Sequence, residues 1–259
     1  MQKVRPKKHL GQHFLTDQQI ARNIVDLLQL PQATRDVLEI GPGMGVLTQY
    51  LIPNKNLNLT VIDIDAESIQ YLKEHFPALR GKIIQADFLR TDLGGIFPGN
   101  LSVIGNFPYN ISSQIFFKVL EHRHLVTEVV GMLQKEVAER LAAPPGSKVY
   151  GILSVLLQAY YTIKYEFTVP PHVFEPPPKV QSAVIRLERN NTEYLGCDEK
   201  KFFEVVKLSF GTRRKTLRNC LKPYKLPESV TSLPVFDQRA EQLSVADFVE
   251  LTKLVEANV

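Results

Sequence analysis

The chain has 259 residues, of which 44% are hydrophobic and 22% are charged, and its formal net charge is +4. This length suffices for one large domain, or for a medium domain with a small one. No apolar run is long enough to cross a bilayer and the polar, basic N-terminus lacks a signal-peptide core, so we expect a cytoplasmic protein without a membrane partner.

The number and spacing of the cysteines argue against disulfide bonds and against a zinc site. Cys197 and Cys220 are the only cysteines, and neither belongs to a metal-ligand motif. We therefore expect neither a disulfide framework nor a bound metal.

In chain order, hydrophobic periodicity predicts helices and strands that alternate as far as residue 189. The first element is an amphipathic helix at 17–30, with Ile20, Ile24, Leu27 and Leu28 on one face. Strands are predicted at 37–40, 57–63, 82–85, 101–105, 126–133, 161–169 and 180–189, and further helices at 46–52, 66–75, from 135 onwards and 151–159. This alternation favours an α/β fold with a parallel, doubly wound sheet, whose ligand binds outside the carboxyl ends of the strands.

The pattern changes after residue 189. No strand is evident there, and short helices are predicted at 199–210, 213–221 and 245–256, with prolines between them. We therefore expect an α/β domain over residues 1–189 and a small helical domain over residues 190–259.

A glycine-rich turn follows the first predicted strand. Gly41, Gly43 and Gly45 allow a sharp turn and a close approach to a ligand. Val46 stands where the dinucleotide fingerprint needs glycine, so the turn favours the Rossmann-like class I methyltransferases, which bind S-adenosylmethionine, over NAD enzymes. A tight strand-to-helix turn without a ligand is the alternative.

Acidic residues near the other strand ends are candidate cofactor ligands. Asp63 is placed to accept the ribose hydroxyls, with Asp65 as its rival, and Asp87 to accept from an adenine amino group. Asp87 could instead cap a turn. Glu39 is expected to orient the glycine turn or to face the methionine part of the cofactor.

Asn106-Phe107-Pro108-Tyr109 ends the fourth predicted strand and suits methylation of an exocyclic amine. The lone pair of adenine N6 is delocalised into the ring, and two acceptors aimed at its hydrogens, the Asn106 side-chain oxygen and the Phe107 carbonyl, would localise it. Pro108 fixes the turn and Tyr109 offers a face on which an extruded base can stack. A turn with an asparagine cap is the alternative.

Basic residues cluster near both ends of the chain and suggest a polyanion as partner. Residues 1–16 and residues 207–225 both contain lysine and arginine, and neither stretch contains an acidic residue. A solvated helix face is the alternative interpretation of such a cluster.

Five segments, in this order, closely resemble the KsgA (RsmA) family of small-subunit rRNA adenine dimethyltransferases. They are Lys8–Leu15, Leu38–Gly43, Asn106–Ser112, Phe174–Val184 and Arg213–Asn219. The resemblance implies transfer of methyl groups from S-adenosylmethionine to N6 of two adjacent adenines in a hairpin near the 3′ end of 16S rRNA, during small-subunit assembly. Nothing in the sequence suggests more than a monomer, so we expect one.

The resemblance assigns roles to individual residues. The cofactor ligands it implies, together with the glycine-turn residues, are His13, Leu15, Glu39, Gly41, Gly43, Asp63, Asp87 and Asn106. Asn106, Phe107, Pro108 and Tyr109 would hold the target adenine, with Phe174 as a candidate for its opposite face or else a core aromatic. The residues expected on the rRNA backbone are Arg213, Arg214, Lys215 and Arg218.

Three positions depart from the family pattern, and three other functions remain open. The family usually has Asn at His13, often Glu at Asp63, and usually Leu at Phe107. The alternatives are a 23S rRNA adenine methyltransferase, a DNA adenine methyltransferase, and a non-catalytic assembly or transcription factor on the same scaffold. The short segment after Asn190 disfavours the DNA enzyme, because it leaves little room for a domain that reads sequence.

Overall fold

The computed structural model describes residues 4–31, 34–212 and 214–259. Its contacts divide the chain into two compact units, Met1–Ala138 with Ile163–Arg189, and Glu139–Thr162 with Asn190–Val259. The second unit therefore includes residues 139–162, which the sequence analysis places in the first domain. This segment carries an apolar helix that packs on the helices after residue 198, and a pattern of alternating strands and helices does not reveal that pairing.

A seven-stranded sheet forms the centre of the described part of the first unit. The strands of the chain are β1 (Phe14–Leu15), β2 (Asp36–Ile40), β3 (Asn58–Asp63), β4 (Ile83–Gln85), β5 (Leu101–Asn106), β6 (Val126–Gln134), β7 (Tyr161–Val169), β8 (Phe174–Glu175) and β9 (Ser182–Arg189). The order in the large sheet is β4-β3-β2-β5-β6-β9-β7. The remaining two strands, β1 and β8, pair with each other.

The sheet is mostly parallel, as the sequence predicts. Strands β2, β3, β4, β5 and β6 run parallel to one another, whereas β9 is antiparallel to β6. No α-helix separates β7 from β9 in the sequence, and a parallel connection between strands usually needs one. The late strands thus depart from the parallel arrangement.

The predicted helices are present, several of them shorter than predicted, and α4 and α10 have no predicted counterpart. They are α1 (Gln18–Asp26), α2 (Thr48–Leu51), α3 (Ala66–His75), α4 (Leu93–Ile96), α5 (Ser112–Glu121), α6 (Lys135–Ala142), α7 (Ile152–Gln158), α8 (Glu199–Phe210), α9 (Leu217–Cys220), α10 (Glu228–Thr231) and α11 (Val245–Glu256). Helix α1 begins after Asp17, whose carboxylate accepts from the backbone N–H groups of Gln19 and Ile20. Such a cap satisfies donors that have no partner within the helix.

Burial explains why the central strands hold the sheet together. In β2 and β5 nearly every residue is buried, because helices cover both faces of a parallel sheet. The buried apolar side chains include Val37, Leu38, Val103 and Ile104. Glu39 of β2 is buried among them, and this exception marks the edge where the sheet meets the candidate site.

The second unit is helical in its described residues after Asn190. Helices α7, α8 and α11 pack together, and the aromatic rings of Tyr150, Phe210 and Phe248 lie in contact. Asp198 caps α8 and Ser244 forms a capping box with Asp247 at the start of α11.

Among the residues that the structure describes, no helix is both long and apolar enough to span a membrane.

Candidate active site

Four predicted site residues come together at the carboxyl edge of the sheet. Gly41 follows β2, Asp63 ends β3, Asp87 follows β4 and Asn106 ends β5. These strands are consecutive in the order β4-β3-β2-β5. The four residues line one cleft with a volume of about 170 Å³, together with His13, Gly43 and the Phe107-Pro108-Tyr109 turn. The cleft therefore lies where a parallel α/β sheet offers its binding site.

The glycine turn comes unusually close to neighbouring side chains. Gly41 and Gly43 adopt φ values of 64° and 55°, which side chains other than glycine rarely adopt. A Cβ on Gly43 would lie 2.9 Å from Cε1 of Phe14, and one on Gly41 would lie 3.7 Å from Cδ of Pro108. The positive φ angles at both positions and the nearby Phe14 ring at Gly43 therefore favour glycine in this turn, which forms one wall of the cleft.

Asp63 presents a largely buried carboxylate to the cleft. Its exposed fraction is 8%, and one oxygen accepts from the backbone N–H of Asp65 at 2.9 Å. Burial raises the pKa of Asp63, and hydrogen bonds from the backbone of Asp65 and Gly43 oppose that rise. A buried acceptor of this kind gains most when hydroxyl donors of a ligand approach it.

Glu39 is the last but one residue of the strand before the glycine turn and carries a buried carboxyl group. Burial raises the pKa of Glu39 to about 8, against a hydrogen bond from the Thr48 hydroxyl and with a contribution from the nearby charge of Asp63. The Thr48 oxygen is 2.6 Å from the carboxyl group. Glu39 also lines a small cavity of about 30 Å³ beside the cleft, with Leu15 and Gly43. At neutral pH the carboxyl group is therefore mainly protonated.

Asp65, the rival of Asp63, has a different task in the structure. It caps α3 and forms an ion pair with Lys7, and it accepts from the side-chain amide of Gln12 at 3.1 Å. Burial works to raise the pKa of Asp65, but the hydrogen bonds from Lys7 and Gln12 outweigh it and lower the pKa. Asp65 thus holds the N-terminal segment against the cleft, and Asp63 alone of the two lines it.

Asp87 both lines the cleft and caps a turn. Its carboxylate accepts from the backbone N–H of Leu89 at 2.9 Å and lies 3.6 Å from Nε of Arg90. The cap that the sequence offered as an alternative is therefore present. A role as ligand for an adenine amino group requires the carboxylate to accept a further donor beside these two.

The Asn106–Tyr109 turn is held by three different contacts. The Asn106 amide donates to the carbonyl of His13 at 2.8 Å, which leaves Oδ1 as the acceptor. The N–H of Phe107 donates to the carbonyl of Met132 at 2.9 Å. The Tyr109 hydroxyl pairs with that of Ser182, a buried residue at the start of β9. The turn is thus tied to the N-terminal segment and to two strands.

His13 and Leu15 bring the N-terminal segment into the site. Nδ1 of His13 donates to the carbonyl of Pro176 at 2.8 Å, and the His13 ring centroid is 5.1 Å from that of Tyr109. Leu15 is buried and pairs with Phe174 between β1 and β8. The unusual histidine therefore contacts the turn through its ring as well as through its backbone.

Phe174 does not reach the cleft. Its exposed fraction is 4%, and it packs with Leu15, Val169 and Val173 in the hydrophobic core. The core aromatic, which the sequence left as the alternative, is what the structure shows. The structure therefore does not bring Phe174 to the cleft or to the other cavity beside His13 and Tyr109, because its side chain is buried in the core.

A second cavity of about 430 Å³ lies on the other side of His13 and Tyr109. Its remaining lining residues include Lys8, Gln134 and a run of prolines at 176–178. The two cavities share Gly11, Gln12, His13 and Tyr109 as common walls. The site therefore has room for two ligands on either side of one set of residues.

The basic cluster in the second unit differs from its predicted form. Helix α9 begins at Leu217, after the extended residue Thr216, so Arg214 and Lys215 precede the helix and only Arg218 lies on it. All three of these cations are exposed. Nη2 of Arg218 lies 2.7 Å from a carboxylate oxygen of Asp237. Arg213 lies outside the described residues.

Sequence reasoning overlooked several residues of the site. Ile64 lines the cleft with an exposed fraction of 54%, unusual for an apolar side chain directly after a buried strand. Its position between two aspartates was the available signal. Gln12 and Ser182 were also missed, because their partners Asp65 and Tyr109 are distant in sequence.

The chain is similar to known proteins over nearly its whole length. Residues 3–257 match the family described as Ribosomal RNA adenine dimethylase. Proteins named Ribosomal RNA small subunit methyltransferase A from Cytophaga hutchinsonii and Parabacteroides distasonis are 61% and 58% identical to it. The first comparison covers 98% of this chain and 99% of the relative, and the second covers 100% and 97%.

Solved structures show the same architecture. A dimethyladenosine transferase from Plasmodium falciparum superposes with a TM-score of 0.77 at 28% identity, covering 92% of this chain and 96% of the other. The 23S rRNA methyltransferase ErmE gives a TM-score of 0.66 at 24% identity, covering 94% and 99%. The second likeness shows a shared fold alone.

Proposed function

We propose, because the chain belongs to the ribosomal RNA adenine dimethylase family, that its two adjoining cavities receive the cofactor and the target adenine. The chain is an S-adenosylmethionine-dependent rRNA adenine dimethyltransferase. We propose that its targets are the N6 amines of two adjacent adenines near the 3′ end of 16S rRNA. We propose further that it acts as a monomer in the cytoplasm, on 16S rRNA within the assembling small subunit.

The cleft fits S-adenosylmethionine in the chemistry of its walls. Gly41 and Gly43 line the cleft with positive φ angles, Asp63 offers a buried acceptor, and Ile64 offers an apolar surface. We assign the ribose hydroxyls to Asp63, the adenine ring to Ile64 with Asp87 as acceptor for its amino group, and the methionine end to the side of Glu39. When bound, the cofactor supplies an electrophilic methyl group on a sulfonium.

The target adenine is assigned to the second cavity, against Tyr109. The Ser182 hydroxyl fixes the Tyr109 ring at its outer end, so the ring offers a rigid surface for stacking an extruded base. The flanking prolines and Lys8 supply apolar and cationic walls. The base is then placed beside Asn106, which borders the cofactor cleft.

The orientation of Asn106 is the observation that carries the proposed chemistry. Its amide nitrogen is engaged by the His13 carbonyl, so Oδ1 is the atom that accepts from the N6 amino group. The Phe107 carbonyl is the second acceptor. By accepting hydrogen bonds from the N6 hydrogens, these two oxygens localise on nitrogen the lone pair that is otherwise delocalised into the ring. Positioning of the reactants supplies the rest of the rate enhancement. No side chain is required to act as a strong base.

The test uses purified protein, labelled S-adenosylmethionine and small ribosomal subunits that lack the modification, in parallel with large subunits and DNA. Mass mapping should find pairs of N6,N6-dimethyladenine near the 3′ end of 16S rRNA. Methylation confined to 23S rRNA would support the alternative of a 23S rRNA adenine methyltransferase. Binding to small subunits without transfer would support a non-catalytic assembly factor.

A further inference from the structure

The Phe107 side chain points away from the site and into the sheet. Its exposed fraction is 1%, although its backbone borders the cleft. Its ring lies edge-on to Phe116 of α5, with centroids 6.0 Å apart and planes at 75°. The buried ring thus holds the Phe107 backbone in place at the cleft.

Two glycines on neighbouring strands make room for this ring. A Cβ on Gly131 of β6 would lie 2.9 Å from Cδ2 of Phe107 and closer still to Cε2. A Cβ on Gly105 of β5 would lie 3.0 Å from Cδ1 and Cε1. Gly105 and Gly131 are paired across β5 and β6. The ring therefore occupies a slot whose floor is two facing glycines.

The two glycines differ in what else a methyl group would meet. On Gly105 the new Cβ would also lie 2.5 Å from the carbonyl oxygen of Ile40, a backbone atom of β2. On Gly131 the nearest atoms all belong to the Phe107 ring. The closest contacts of a side chain at 131 are therefore with the Phe107 ring, whereas one at 105 comes closest to the backbone of the sheet.

We propose that Gly131 is a positioning residue for methyl transfer. It acts through the Phe107 ring to fix the position of the Phe107 carbonyl at the cleft. The inference rests on the proposed role of that carbonyl as acceptor for the N6 amine. The ring is clamped between the glycines and Phe116, and the N–H of Phe107 is bonded to Met132, the residue after Gly131. Movement of the ring therefore moves the carbonyl, and small displacements of a reacting group are costly.

The experiment is a double-mutant cycle with Gly131→Ala and Phe107→Leu, assayed on unmodified small subunits. Gly131→Ala should lower kcat roughly 10- to 100-fold, with the Kd for S-adenosylmethionine changed less than about twofold. In the Phe107→Leu background, where the ring is absent, Gly131→Ala should change kcat less than about twofold. A pure loss of folded protein would lower the apparent kcat and the cofactor-binding capacity equally, so active-site titration separates the two.

Two other variants serve as references. Gly105→Ala should stay impaired in the Phe107→Leu background, because its clash with the Ile40 carbonyl remains. Gly99→Ala, where a Cβ would meet nothing within 4 Å, should behave as wild type.

The proposal is overturned if Gly131→Ala lowers kcat equally in both backgrounds, or if the loss follows the fraction of folded protein. Asn106→Ala separates this failure from that of the proposed mechanism. Full activity in Asn106→Ala refutes the acceptor role itself. If Asn106→Ala is inactive and Gly131→Ala is unaffected, only the positioning role of Gly131 is refuted.

Discussion

The side-chain amide of Asn106 donates a hydrogen bond to the backbone carbonyl of His13, with 2.8 Å between nitrogen and oxygen. This bond fixes which end of the amide can face a substrate, since the nitrogen is engaged and the oxygen is left as the acceptor. The acceptor at the end of β5 is thus oriented by a residue of the N-terminal segment. His13 therefore orients the Asn106 amide through its backbone carbonyl, which any residue at position 13 would supply.

Replacing Asn106 by alanine should abolish methylation and leave RNA binding intact. The change removes one of two acceptors for the amine, and removal of a single preorganised polar group of this kind costs at least about 100-fold in rate. Methyl transfer and filter binding to unmodified small subunits measure the two properties separately. Asn23→Ala, on an exposed position of α1, is the matched control. Retained activity in Asn106→Ala would refute the mechanism.

Replacing Lys7 by methionine should weaken binding of S-adenosylmethionine. The substitution removes the ion pair with Asp65 that holds the N-terminal segment beside Asp63. Because Lys7 is partly exposed, we expect roughly a two- to fivefold rise in Kd at low salt, with a smaller effect at high salt. Calorimetry measures the change in Kd, with Lys55→Met, at an exposed position away from the cleft, as control. Equal effects of both substitutions would argue against the Asp65 ion pair as the cause.

Protonation of Glu39 should make the folded state lose stability as the pH rises. Burial raises its pKa from 4.5 to about 8, so between these values the folded protein keeps a proton that the unfolded chain has released. The contribution is complete below the unfolded pKa and is lost as the pH rises through the folded value, by at most about 1.4 kcal/mol per pH unit.

Glu39→Gln tests this dependence, because an amide mimics the protonated carboxyl group and does not titrate. The free energy of unfolding from urea titrations should fall less steeply in the variant than in wild type between about pH 5 and about pH 8. Glu228→Gln, an exposed position in the second unit, controls for the substitution itself. Parallel curves for wild type and Glu39→Gln would show that Glu39 is ionised throughout.

Replacing Arg214 and Lys215 together by alanine should weaken binding to unmodified small subunits and reduce its salt dependence. For every phosphate that the variant no longer neutralises, the slope of log K against log salt should become shallower by about 0.7 to 0.9. Adding Arg213→Ala and Arg218→Ala should extend the effect, although Arg218 also pairs with Asp237. The control removes two exposed lysines of the first unit, Lys55 and Lys73. Unchanged binding would refute the role of the cluster.

Local sequence patterns predicted the strand ends well. Apolar runs followed by glycine, aspartate or asparagine placed Gly41, Asp63 and Asn106 at the ends of β2, β3 and β5, where the structure has them. These elements are specified by residues close in sequence, so periodicity and turn chemistry suffice. The resemblance then supplied the function, which family membership establishes.

Local sequence patterns did not predict contacts between residues that are far apart along the chain. Phe174 is buried where β8 pairs with β1, and Asp65 is engaged by Lys7 and Gln12 and does not line the cleft. Helix α7 belongs to the second unit although it lies between strands of the first. In each case the deciding partner is far away along the chain, where no local period records it.

The pairing of β1 with β8 also has a consequence for synthesis on the ribosome. Phe14 and Leu15 find their backbone partners only in Glu175 and Phe174, so the beginning of the nascent chain waits until two-thirds of it has been translated. Contacts of such high sequence separation form late, because closing the long loop is entropically costly. The β1–β8 pairing beside His13 therefore forms only after strands β2 to β5, which carry Asp63 and Asn106, have been translated.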